Sequence, residues 1–123
     1  MSRYKNQRFR ARLGFALRGL AQALRSEASL RLQALAFAAA LLVLFALRPP
    51  AVWWALVILA SAAVVAAELF NTAIEHLADL LHPQQSPGIR LVKDCAAAGV
   101  LIAVLGALGV GAALLVHLLS GAP

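Results

Sequence analysis

Glu68, Asn71, Thr72, Glu75 and Asp79 lie in a stretch that is otherwise almost wholly apolar. At 100 degrees per residue these five fall within an arc of about 100 degrees, so a helix carries them as one polar stripe. A carboxylate facing lipid at depth costs roughly 3 kcal/mol or more, so the stripe must face a bundle interior or a wet cavity. Hard oxygen donors suit magnesium, which is held by one or two carboxylates together with substrate phosphates. A further carboxylate held out of water can serve as general base. Phosphoryl transfer needs little beyond such positioning and charge neutralisation. On these residues alone three readings stay open: phosphoryl transfer, an ion or proton pathway, and a polar seam that sets helix register in an oligomer.

Other nucleotide and metal signals are absent. Gly14 and Gly19 have P-loop spacing, but Leu20 stands where the lysine belongs and no strand precedes them. Gly109-Val110-Gly111 lacks the third glycine of a dinucleotide fingerprint. His76 is expected to point away from the acidic stripe, His82 to sit in a loop, and His117 to lie at the far interface. Cys95 is alone, so no intrachain disulfide is expected, and it reads as a small packing residue.

The elements that must position the stripe are helices. Phe9, Leu13, Leu17, Leu20 and Leu24 share one helical face among arginines, which predicts an amphipathic surface helix over 1–28. An uncharged run from Leu32 to Leu47 predicts a first membrane span over 30–48. Pro49 and Pro50 break the chain, and Trp53 with Trp54 supply an aromatic belt. A second span over 51–81 has no internal breaker, and its last third carries the stripe. The loop from His82 to Gly88 leads to a third span over 90–119, opened by Arg90, Lys93 and Asp94. This topology brings Glu27, the stripe acids, Lys93 and Asp94 to one membrane face. Gly99, Gly106, Gly109 and Gly111 suit close helix packing or reflect ordinary glycine use in membrane helices.

Composition agrees. Of the 123 residues 63% are hydrophobic, far above a soluble fold, and the long Ala/Leu/Val runs favour helices over a barrel. The whole chain reads as one integral membrane domain of all-α class. The net charge of +6 is concentrated at the start: eight of the eleven Lys/Arg lie between Arg3 and Arg31. That points to an anionic membrane surface rather than nucleic acid, since no aromatics interleave the basic residues. No small-residue cleavage site follows them, so no cleaved signal peptide is expected. With three spans, the first segment and the 82–92 loop share a side. Arg90 and Lys93 bring its cations to ten, against Arg48 alone opposite, which predicts a cytoplasmic N-terminus in a multi-pass inner-membrane protein.

Glu68-Leu69-Phe70-Asn71-Thr72-Ala73-Ile74-Glu75, with Asp79 and then Lys93-Asp94 before Ala97 and Ala98, closely resembles the signature of the small prokaryotic diacylglycerol kinase family, which includes undecaprenol kinases. Arg18-Gly19-Leu20, Ser26-Glu27-Ala28 and Arg31 fit the same pattern without gaps, and the resemblance covers about residues 8 to 116. It implies a homotrimer of three-span subunits with surface helices, active sites between subunits, and MgATP phosphorylating a lipid alcohol at the cytoplasmic face. By this resemblance Glu68 is the general base. Glu27 and Glu75 hold magnesium and orient the phosphates, and Asn71 supports them. Lys93 and Asp94 hold the nucleotide, Arg8 lies near its phosphates, and Arg31 with Glu68 meets the lipid. Diacylglycerol is the expected substrate, with undecaprenol the alternative, and the Ser-Glu-Ala-Ser-Leu-Arg stretch looks more like the diacylglycerol branch. Phe15 stands where well-known members have tyrosine, Ser86 where they have a loop histidine, Arg90 where they have a small residue, and Gln33 where the diacylglycerol branch has glutamate. An ion-conducting or scaffolding oligomer is the non-enzyme alternative.

Overall fold

The computed structural model describes residues 8–121, and these form four helices. They are α1 (Phe9–Ser26), α2 (Ala28–Leu47), α3 (Ala51–Leu81) and α4 (Pro87–Leu119). Among the described residues there is no strand. The last three helices are long and apolar enough to cross a membrane. Residues 1–7 of the expected surface helix lie outside the described residues.

Each boundary has a local cause. α1 stops where Glu27 turns extended (φ −111°, ψ 110°), and the same residue opens α2. α2 stops at Arg48, which takes the left-handed conformation (φ 47°) common at helix ends and bonds its N–H to the carbonyl of Leu44. Pro49 then prevents continuation. α4 starts at Pro87, three residues before the expected start at 90. Ser86 caps it, accepting the N–H of Ile89 at 3.2 Å, and Pro87 occupies the first helical position, where its missing N–H costs nothing.

Length decides what leaves the membrane. α3 has 31 residues and is about 46 Å long, against a hydrocarbon core of about 30 Å. Measured from Ala51, Glu68 lies about 26 Å along the axis, within one hydrocarbon thickness, whereas Glu75 and Asp79 lie more than about 30 Å along it.

α3 is the central element: it packs along α4 and α2, and α1 folds back against α2 and α3. Leu44, Val57 and Leu114 form a small core at the end where the α2–α3 hairpin turns. The opposite end, where α1 meets α2, is the elbow end. The chain exposes 9134 Å², whereas a soluble monomer of 12.9 kDa exposes about 6,300 Å². The excess includes Leu59, Leu101, Ile102 and Leu108, which belong against lipid or other protein. Cys95, expected as a packing residue, is exposed on α4 within the single chain.

Candidate active site

Glu68 is the one buried charged side chain among the described residues, with 6% of its surface exposed. Its position on α3 faces the first turn of α2, where Ser29 donates its hydroxyl to Oε2 at 3.2 Å. A buried carboxylate is tolerated only with hydrogen-bond partners, and Ser29 is the partner the fold supplies. A carboxylate accepts about four hydrogen bonds, so this contact leaves room for an incoming hydroxyl donor. Ser29 went unassigned in the sequence. The signal was present, because it lies two residues from Glu27 in the Ser-Glu-Ala-Ser stretch.

Asn71 and Glu75 extend the site by one and two turns. The Nδ2 of Asn71 donates to Oε1 of Glu75 at 3.2 Å, and its Oδ1 is buried without a partner among the described residues. Reversing the amide would set that oxygen against the carboxylate, so Glu75 determines its orientation. Glu27 comes from the elbow. Its side chain caps neither α1 nor α2, and it turns instead toward α3, where Nε2 of His76 lies 3.9 Å from Oε1. His76 was expected to point away from the acids. Its register does set it about 80 degrees round α3 from Glu68, off the stripe, but Glu27 approaches α3 on that flank.

A second polar group sits beyond the first. Lys93 donates from Nζ to Oδ1 of Asp79 at 2.6 Å, tying the start of α4 to the end of α3. A polar cleft of about 360 Å³ opens beside this pair, lined by Asp79, His82, Gln84, Arg90, Lys93 and Asp94. Within it the His82 ring Nδ1 stands 2.6 Å from the carbonyl oxygen of Gln84. Ser86, in the histidine position of the family pattern, is occupied in capping α4.

The predicted residues are therefore divided between two places. Glu27, Glu68, Asn71 and Glu75 gather at the elbow end, while Asp79, Lys93 and Asp94 line the neighbouring cleft. Among the described residues no three His, Cys, Asp or Glu side chains of one chain stand close enough to hold a metal ion. Glu68 and Asp79 are eleven residues apart on one rigid helix, about 17 Å, more than a single ion's ligand shell can span. Arg8 caps the far end of α1, about 28 Å along the helix from Glu27, and is not brought to this cluster within the chain. Arg31 turns its Nη1 to the carbonyls of Leu24 and Arg25. Phe15, in the tyrosine position, lies under the guanidinium of Arg18, 5.1 Å from ring centre.

The model of the prokaryotic diacylglycerol kinase family matches residues 14–115, from within α1 to near the end of α4. The chain belongs to this family. Among curated relatives, the undecaprenol kinase of Bacillus subtilis (strain 168) is 32% identical over 85 residues, which is 69% of this chain and 69% of that protein. Family membership makes the chain a membrane lipid kinase, with ATP as phosphoryl donor and a lipid as acceptor. Of the three readings that the acidic stripe leaves open, phosphoryl transfer is the one the family carries.

Proposed function

We propose that the chain transfers the γ-phosphoryl group of ATP to the hydroxyl of diacylglycerol, giving phosphatidate and ADP, with Glu68 as general base. The observation that carries this reading is a single buried carboxylate on a helix apolar enough to cross a membrane, held by one neutral hydroxyl. Intramembrane acids are rare and functional by default. As the lipid oxygen forms its bond to the γ-phosphorus, Glu68 takes the hydroxyl proton. The bond from that phosphorus to the β–γ bridging oxygen breaks, and ADP leaves. An apolar cleft of about 470 Å³ between α2 and α4, floored by α3, supports the lipid assignment. Gln33 and Val64 stand at its near end, each one turn from the Ser29–Glu68 pair, so a hydroxyl at Glu68 can carry its hydrocarbon into this cleft.

Magnesium fits Glu27 and Glu75. Neither carboxylate is used in a helix cap, and two carboxylates with nucleotide phosphates make a complete set for this ion. When bound it supplies charge neutralisation on the transferring group. Asn71 orients Glu75, and Lys93 with Asp94 holds the nucleotide at the polar cleft. Arg8 lies too far along α1 to serve its own chain's elbow, which favours a site shared between subunits of a homotrimer. The exposed apolar flanks of α3 and α4 favour the same assembly. The cation imbalance favours the elbow end at the cytoplasmic face of the inner membrane.

Undecaprenol is the second reading, favoured by the name of the Bacillus relative. Transfer of label from ATP in mixed micelles, with each lipid alcohol offered separately, decides between them. Labelling of diacylglycerol above undecaprenol is expected. The reverse order moves the assignment to undecaprenol, and no transfer to either removes the kinase reading.

A further inference from the structure

We propose that Arg31 is a positioning residue, whose guanidinium clamps the α1–α2 elbow and thereby sets Glu27 against α3. The inference rests on the reading of Glu27 as a magnesium ligand.

The last carbonyls of a helix have no partner within it. At the end of α1, Nη1 of Arg31 donates to the carbonyl oxygens of Leu24 and Arg25, both at 2.9 Å. These residues lie seven and six positions earlier in the chain, across the elbow, so one α2 side chain holds the end of α1. Its charge also complements the negative end of the α1 dipole. Between the two helices stands a single extended residue, Glu27. Its N–H bonds to the carbonyl of Ala23 at 2.8 Å, and its own carbonyl accepts the N–H of Arg31 at 3.3 Å. Ala23 and Leu30 are buried on either side of it, which keeps the elbow tightly packed.

The backbone of Glu27 is thus held by both helices while its side chain caps neither. Where its carboxylate points is decided by the angle between α1 and α2. A clamp that bridges that angle acts on the carboxylate without touching it. The clamp engages Nη1 of Arg31, which is committed to two backbone carbonyls at the end of α1.

The test uses the full chain in mixed micelles, with Mn²⁺ as the probe ion and a non-hydrolysable ATP analogue. Arg31→Ala is expected to weaken Mn²⁺ binding, read by electron paramagnetic resonance, by about tenfold or more, as for other residues that orient a metal ligand. Amide exchange over residues 20–27 is expected to speed up, and KM for the lipid to stay as it is. A raised lipid KM with unchanged Mn²⁺ binding overturns the proposal and makes Arg31 a lipid contact. Unchanged Mn²⁺ binding together with unchanged exchange overturns it as well. Should the alanine variant fail to assemble, Arg31→Lys carries the same test, since an ammonium lacks the planar guanidinium and the same cation-specific loss is expected in smaller degree. Glu27→Gln separates the two readings. If it leaves Mn²⁺ binding intact, the metal role of Glu27 falls, while faster exchange in Arg31→Ala still supports the clamp.

Discussion

At the hairpin end of the bundle, Leu44, Val57 and Leu114 close a core whose contacts are all apolar or aromatic, whereas toward the elbow end the buried Ala23 and Leu30 stand beside polar contacts that join the helices. Phe45 meets Trp54 edge to face at 4.8 Å, and Trp53 lies tilted on His117 at 5.3 Å. Ser29 holds Glu68, Glu27 faces His76, and Lys93 holds Asp79. The two ends belong to the same helices, so the contrast is one of side chains and not of fold. Packing of apolar groups is non-directional and tolerates small shifts. A hydrogen-bonded carboxylate is held at one position, which is what chemistry on a phosphoryl group requires. The hairpin end therefore stabilises and the elbow end reacts.

The sharpest way to break that division is Glu68→Gln. The amide keeps the size of the carboxylate and its contact with Ser29 but takes no proton. It is expected to lower kcat by about 10² to 10⁴, the usual worth of a general base, with unfolding in mixed micelles little changed. Transfer of label from ATP to lipid at the normal rate would remove Glu68 from the base role.

Next in size is a change at the other end. Leu44→Ala empties part of a fully buried site and is expected to cost about 2 kcal/mol of stability. That is the low end for such changes, because lipid tails can replace some of the lost contact. Reversible unfolding in mixed micelles measures it, and turnover per folded molecule should stay normal. A fall in that turnover would show that the two ends are coupled.

Ser29→Ala sharpens the comparison at the contact itself. It removes one hydrogen bond to a charged group, worth about 1.5 kcal/mol, or about tenfold in kcat if the bond serves the transition state. The loss should disappear in the Glu68→Gln background, because the two residues act as a pair. Full additivity of the two losses would separate them.

The smallest effect is expected at the second polar group. Asp79 is 62% exposed and Lys93 31%, so their ion pair should contribute less than about 1 kcal/mol to stability. Asp79→Asn should leave unfolding nearly unchanged, while Lys93→Ala raises KM for ATP. If the two variants lower stability alike and leave KM for ATP alone, the pair is a brace between α3 and α4 and not part of a nucleotide site.

Much of this was legible in the sequence. The uncharged runs, the Pro49-Pro50 break and the one-sided acids of α3 placed the three long helices within a few residues of their observed bounds. The start of α4 was missed by three residues because Ser86 and Pro87 read equally as loop breakers and as a cap with a proline at the first helical position. Among site residues, Glu68, Asn71 and Glu75 were visible because helical periodicity puts them on one face. His76 was not, because it sits off the stripe, and Ser29 was signalled only by its nearness to Glu27.

By itself the sequence determined the helices, the face that carries the acids and the family to which the chain belongs, since all three depend on residue types at short intervals. Only the tertiary structure decided which groups Glu27, Glu68 and Asp79 meet, whereas Glu75 meets Asn71 four residues away on its own helix. Ser29 and Glu68 are 39 residues apart, and their contact depends on the angle and offset between α2 and α3. Periodicity specifies a direction around one helix axis and carries no information on how two axes cross. The packing of α4 on α3 likewise brings Lys93 to Asp79, fourteen residues away in the chain.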